Sequence, residues 1–101
     1  MEPSVRIRFP WKLTVGFGTI IHHRVIIDCM GRVRIGSHVR ISQYSHLCAG
    51  SHKYIDPHMS IRRGPITVGD QVWIAADAFV GPNVTIGDRD RKSTRLNSSH
   101  W

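Results

Sequence analysis

Ten aliphatic side chains recur at a strict interval of six residues, and few folds can satisfy that period. Val15, Ile21 and Ile27 form one run, and Ile35, Ile41 and Leu47 follow after two extra residues. Val68, Ile74, Val80 and Ile86 resume after a longer insertion. A helix needs apolar positions three and four apart, and an ordinary half-buried strand alternates over a longer run. The residue after each aliphatic is generally small, as at Gly16, Gly36, Ser42, Gly69, Ala75, Gly81 and Gly87. Four residues after it comes another small or β-branched side chain, as at Thr19, Val25, Val39, Ser45, Val72, Ala78 and Val84. Each hexapeptide is therefore read as one short strand and one tight corner. Three of them, about 18 residues, close a triangular coil in which aliphatics stack on aliphatics. The small residue after the aliphatic is expected to let the backbone turn. The expected fold is all-β: a single-stranded parallel β-helix of about three triangular coils with one loop insertion. Hexapeptide coils in known proteins wind left-handed, against the usual crossover rule, and that hand is expected here.

Taken in order, residues 1–13 read as entry structure, with Val5, Ile7 and Phe9 alternating with arginines until Pro10. Coil one runs from Val15 to Arg34, with its slip at Met30-Gly31. Coil two starts at Ile35 and is interrupted after Ser51. Ile66 to Gly69 resumes the scaffold, coil three runs to Thr85, and Ile86 opens a fourth. Residues 1–89 are thus expected to form the β-helix domain. Residues 90–101, DRKSTRLNSSHW, break the period and lose nearly all apolar content. Their first eleven residues resemble the translation of a common short-read sequencing adapter. That resemblance implies a disordered, non-native tail and a helix truncated at its C-terminal end.

Two cysteines in 101 residues, Cys29 and Cys48, do not make a disulfide framework, and no apolar run approaches the ~18 residues of a membrane span. The N-terminus lacks a secretory core segment, so a cytoplasmic protein is expected. The net charge of +7 invites a nucleic-acid partner. However, arginines that alternate with aliphatics, as in Val33-Arg34-Ile35, mark solvated strand faces, and no basic cluster is interleaved with aromatics for base stacking. No nucleic-acid partner is expected.

The period breaks once on a large scale, over Leu47 to Pro65, and His52 stands where the break begins. A regular scaffold opened at a histidine suggests a site on a rigid support. Residues 5–88 resemble the hexapeptide-repeat acyltransferases, in particular colanic acid biosynthesis acetyltransferases and the galactoside, maltose and nodulation-factor O-acetyltransferases. RIRFPWKL (6–13), VRIGSHVRISQYSHLCAGSHKYIDPH (33–58) and PITVGDQVWIAADAFVGPNVTIGD (65–88) carry the resemblance. It implies acetyl-CoA as co-substrate, a sugar acceptor, a homotrimer with CoA between subunits, and an internal fragment of a longer chain. It assigns His52 as catalytic base, Ala76 and Trp73 to the pantetheine arm, and His22 and Asp28 to the acceptor. Imidazole, with an ordinary pKa near ~6.5, suits proton removal from a hydroxyl at neutral pH. Ser51 is a candidate oxyanion donor.

His46, His52 and His58 are six apart, but six residues advance one face rather than one coil. No metal is therefore expected, although a zinc protein like the gamma-class carbonic anhydrases is an alternative. Asp56-Pro57 reads as a turn, Arg62 and Arg63 as solvated, and Cys48 as a corner residue without a base. A non-catalytic module or an inactive β-helix fragment is the remaining alternative, and weak or no turnover is expected of the 101 residues by themselves.

Overall fold

The computed structural model describes residues 4–55 and 61–92, with side chains described for 4–50 and 64–92. The chain is an all-β, left-handed parallel β-helix, as the period demands. Face A stacks β1 (Arg6–Arg8), β4 (Ile26–Asp28), β7 (His46–Cys48) and β12 (Phe79–Val80). Face B stacks β2 (Leu13–Val15), β5 (Val33–Ile35), β10 (Ile66–Val68) and β13 (Thr85–Ile86). Face C stacks β3 (Ile20–Ile21), β6 (Arg40–Ile41), β11 (Trp73–Ile74) and β14 (Arg91–Lys92). The insertion contributes β8 (Gly50–Ile55) and β9 (Ile61–Arg63), an antiparallel pair.

Register follows the aliphatics. Ile7 lies over Ile27 and Ile27 over Leu47 on face A. Ile35 pairs with Val15 and Val68 on face B, and Ile41 with Ile21 and Ile74 on face C. Nine of the ten periodic aliphatics are buried; Val15, on the outermost strand of face B, is 38% exposed. Val25, Val39, Ser45, Val72 and Ala78 are buried too, so each hexapeptide sends two side chains inward. Ser45 is accommodated because its hydroxyl donates to the Ala75 carbonyl at 2.8 Å.

The structure corrects the reason given for the small residue. The backbone turns three residues after the aliphatic, where Arg24, His38, Tyr44, Gln71, Asp77, Asn83 and Arg89 all take φ of 56–64°. The glycine one residue after the aliphatic instead marks where coils touch. A Cβ on Gly16 would sit 2.6 Å from the Gly36 carbonyl carbon, and one on Gly36 would sit 2.6 Å from the Gly69 carbonyl oxygen. The Asp70 carboxylate accepts the Ser37 N–H, and the Asp88 carboxylate accepts the Asp70 N–H, each at 2.8 Å. Gly-Asp is thus an inter-coil ladder.

The entry segment is also part of the scaffold, since β1 pairs with β4 in full register. At the other end the ladder runs past Arg89. Trp73 pairs with Arg91 and Ile74 with Lys92, and the Asp90 carbonyl accepts the Trp73 N–H at 3.0 Å. The expected tail boundary therefore falls inside a stacked coil, and residues 93–101 lie outside the described residues.

Candidate functional site

The three corners differ in kind. Between faces B and C the corner is regular in every coil, and so is the corner between C and A. Every departure from the period gathers between faces A and B. There Ile7 to Val15 spans a 3-10 turn, Pro10–Lys12, Ile27 to Ile35 carries the two-residue slip, and Leu47 to Val68 holds the whole insertion.

That A–B corner holds Asp28. Its neighbours in register are Arg8 and Cys48, and its residue exposure is only 5%. The Arg8 guanidinium donates to Oδ2 at 3.4 Å, but that arginine is largely exposed and the contact is weak. Among the described residues Oδ1 has no hydrogen-bond partner. A buried carboxylate oxygen without a donor is costly unless a ligand or solvent supplies one. Cys29 follows it, fully buried, and its thiol pKa is pushed up to about 11 by burial and then by the Asp28 charge, with Lys12 opposing. Lys12 itself donates to the Met30 carbonyl at 3.0 Å.

The insertion leaves from the next coil at the same corner. Its base is closed where the Gly64 N–H donates to the Ala49 carbonyl at 2.9 Å. Gly31, from the slip, makes room for that closure: a Cβ there would lie 2.6 Å from the Gly64 oxygen and 3.0 Å from the Ala49 oxygen. The slip and the insertion thus belong to one feature. His52 is the third residue of β8, on backbone anchored by the Gly50–Arg63 pairing. The side chains of Ser51, His52, Arg62 and Arg63, and all of Asp56, Pro57 and His58, lie outside the described residues.

Trp73, Ala76 and His22 gather at the C–A corner. Trp73 is 39% exposed, and its indole N–H donates to the Ser42 hydroxyl at 3.0 Å. His22, Ser42 and Ala75 follow the aligned Ile21, Ile41 and Ile74, so they occupy one column. Ala76 is exposed one position further on, in the column of His23 and Gln43. Asp77 donates its N–H to the Gln43 carbonyl at 3.0 Å and so fixes that turn.

Among the described side chains, Asp28 therefore stands apart from Trp73, Ala76 and His22 within one chain. His22 and Asp28, expected to share the acceptor, are separated by one prism face. The reason is the rule already used for His46 and His52: six residues advance one corner. Face A, with Ile26, His46 and Phe79 on its outer side, separates the two groups. Among the described residues no group of three His, Cys, Asp or Glu could hold a metal ion. Among the same residues no helix is long and apolar enough to cross a membrane.

The chain is 46% identical over 88 residues to WcaF of Escherichia coli (strain K12), whose name describes a colanic acid biosynthesis acetyltransferase. The match covers 87% of this chain and 48% of WcaF. In sequence the chain is similar to named acetyltransferases, and in fold to a hexapeptide-repeat-containing one. The galactoside O-acetyltransferase of Escherichia coli (strain K12) is 29% identical over 94 residues, covering 87% of this chain and 45% of that protein. Among solved structures, a hexapeptide-repeat-containing acetyltransferase from Vibrio cholerae O1 biovar eltor, complexed with acetyl coenzyme A, superposes with a TM-score of 0.81. It is 23% identical, with 96% of this chain and 58% of that one covered. The chain spans about half the length of the relatives it matches in sequence. No protein-family model matches.

Proposed function

We propose that this chain carries part of an acetyl-CoA-dependent O-acetyltransferase that acts on a sugar or exopolysaccharide precursor, with His52 as general base. The observation that carries the reading is the 46% identity to WcaF across 87% of the chain, insertion included. The solved neighbour complexed with acetyl coenzyme A has the same fold and supports the choice of donor.

The chemistry is a direct transfer. The imidazole of His52 takes the proton of a sugar hydroxyl as its oxygen attacks the thioester carbonyl. The tetrahedral oxyanion is met by a donor such as the Ser51 hydroxyl, the C–S bond breaks, and the proton passes to the departing sulfur. Positioning within a ternary complex suffices, and no covalent enzyme intermediate is needed. Trp73 and Ala76 would flank the pantetheine arm, where Ala76 presents only a methyl group. The separation of the two residue groups by face A fits a homotrimer in which the A–B corner of one subunit meets the C–A corner of the next. His22 and Asp28 then reach the acceptor from different subunits, and the orphaned Asp28 oxygen would gain a sugar hydroxyl as donor. A cytoplasmic location fits a donor made inside cells.

The test is release of CoA thiol from acetyl-CoA, with and without galactosides and glucosides, by a protein of the relatives' full length that carries this sequence. Acceptor-dependent release is expected. Absence of both acetyl-CoA binding and acceptor-dependent release would overturn the reading.

A further inference from the structure

Face C carries a second feature that shares only Trp73 with the site above. Its outward column runs Ile20, Arg40, Trp73 and Arg91. Beside it, at the B–C corner, His38, Gln71 and Arg89 occupy successive left-handed turn positions. These are stacked through the Gln71 N–H to Ser37 carbonyl and Arg89 N–H to Asp70 carbonyl bonds. Apart from Ile20, these residues line an open groove of about 490 Å³.

The groove is electropositive for a structural reason. The carboxylates of Asp70 and Asp88 are committed to the inter-coil ladder, and that of Asp90, between Arg89 and Arg91, is held by Lys92 at 3.0 Å and by the Arg91 N–H at 2.8 Å. The ion pairs among the described residues are Arg8–Asp28 and Lys92–Asp90, so Arg40 and Arg89 face solvent without a carboxylate partner. A guanidinium fork matches phosphate oxygens, and an indole face gives a flat ring somewhere to lie. In this chain the Arg91 guanidinium sits 4.6 Å over the Trp73 ring. Arg91 belongs to the segment that resembles adapter sequence, so the site is counted without it.

We infer that this groove binds the phosphate or diphosphate group of an organic phosphate, with Arg40 and Arg89 as its ligands and Trp73 beneath the attached group. Two sources share that chemistry under the proposed function on which the assignment of a source rests: the phosphates of acetyl-CoA, or the diphosphate of a nucleotide-activated sugar. The binding of phosphate itself does not depend on that reading.

Isothermal titration of the protein and of its Arg40→Gln/Arg89→Gln variant separates these cases. The probes are inorganic pyrophosphate, acetyl-CoA, acetyl-pantetheine and a nucleoside diphosphate sugar. Both arginines are exposed and glutamine keeps part of their stems, so the fold is expected to survive, as far-UV circular dichroism would verify. Pyrophosphate affinity is expected to fall about tenfold or more, with acetyl-pantetheine unchanged. A parallel loss for acetyl-CoA alone assigns the donor, for the nucleotide sugar alone the acceptor, and for both a shared groove. Unchanged affinity for all three phosphates, or no binding of any by the parent chain, would overturn the inference. Arginine-dependent pyrophosphate binding without any binding of acetyl-pantetheine would instead keep the groove and remove the acetyltransferase reading.

Discussion

The B–C and A–B corners are built from the same repeat and do opposite things. At B–C each coil offers a glycine, then Phe17, Ser37, Asp70 or Asp88, then a residue at positive φ, and the space beside Gly16, Gly36 and Gly69 is filled by the next coil. Such a corner stabilises the stack and leaves no vacancy between the coils at those three glycines. At A–B the period is relaxed in three successive coils. A buried carboxylate with an orphaned oxygen, a buried thiol and the root of a thirteen-residue excursion (51–63) collect there. The difference teaches that a solenoid confines irregularity to one edge, where it can host chemistry without disturbing the stack.

If so, the core beneath the irregular corner should be as firm as elsewhere. Leu47→Ala, beside A–B, and Ile74→Ala, on face C, remove fully buried side chains. Each should cost about 2–5 kcal/mol in urea unfolding. A markedly smaller loss for Leu47 would break the comparison. Next in size is one substitution made at both corners. Gly36→Ala places a methyl 2.6 Å from the Gly69 backbone and should cost about 1–3 kcal/mol. Gly31→Ala meets the Gly64 and Ala49 carbonyls at the root of the insertion, so it should lower acetyl transfer more than stability. Equal effects on both readouts at both sites would remove the distinction.

Smaller still is Asp70→Ala, which deletes one rung of the ladder and should cost about 1 kcal/mol. The smallest effect is a pH dependence. The Cys29 thiol keeps its proton up to about 11 in the folded chain against 9.0 for an ordinary thiol. Between those values the folded state holds more protons than the unfolded one. Stability is therefore retained below pH 9 and declines as pH rises toward 11. Cys29→Ala should flatten the unfolding midpoint over that window, and an unchanged slope would show that the thiol is not its source.

Much of the fold was legible because its code is one-dimensional. A single period marks which residue points inward, and Ile21 through Ile86 obey it. The role of Gly36 and Gly69 was not legible, since a small residue can serve a turn or a close approach, and only the neighbouring coil distinguishes them. The partnership of Gly31 with Gly64 joins positions 33 residues apart, which no local pattern reveals. Arg40 alternates with Val39 and Ile41 like the arginines of any solvated strand face, and Arg89 carries no local signal. Their alignment needs the coil register, which the insertion shifts from 20 to 33 residues between Arg40's neighbours, Ile20 and Trp73. His22 and Asp28 show the opposite failure. Their six-residue spacing already placed them on different corners.

The account's central claim is that the opened A–B corner presents His52 as the base. The most direct measurement is the rate of acceptor-dependent thiol release by His52→Ala beside the parent, each at the relatives' full length and at matched far-UV circular dichroism. The account predicts a fall of ~10²-fold or more with the β-helix signal intact. Unchanged turnover with an intact fold would contradict it.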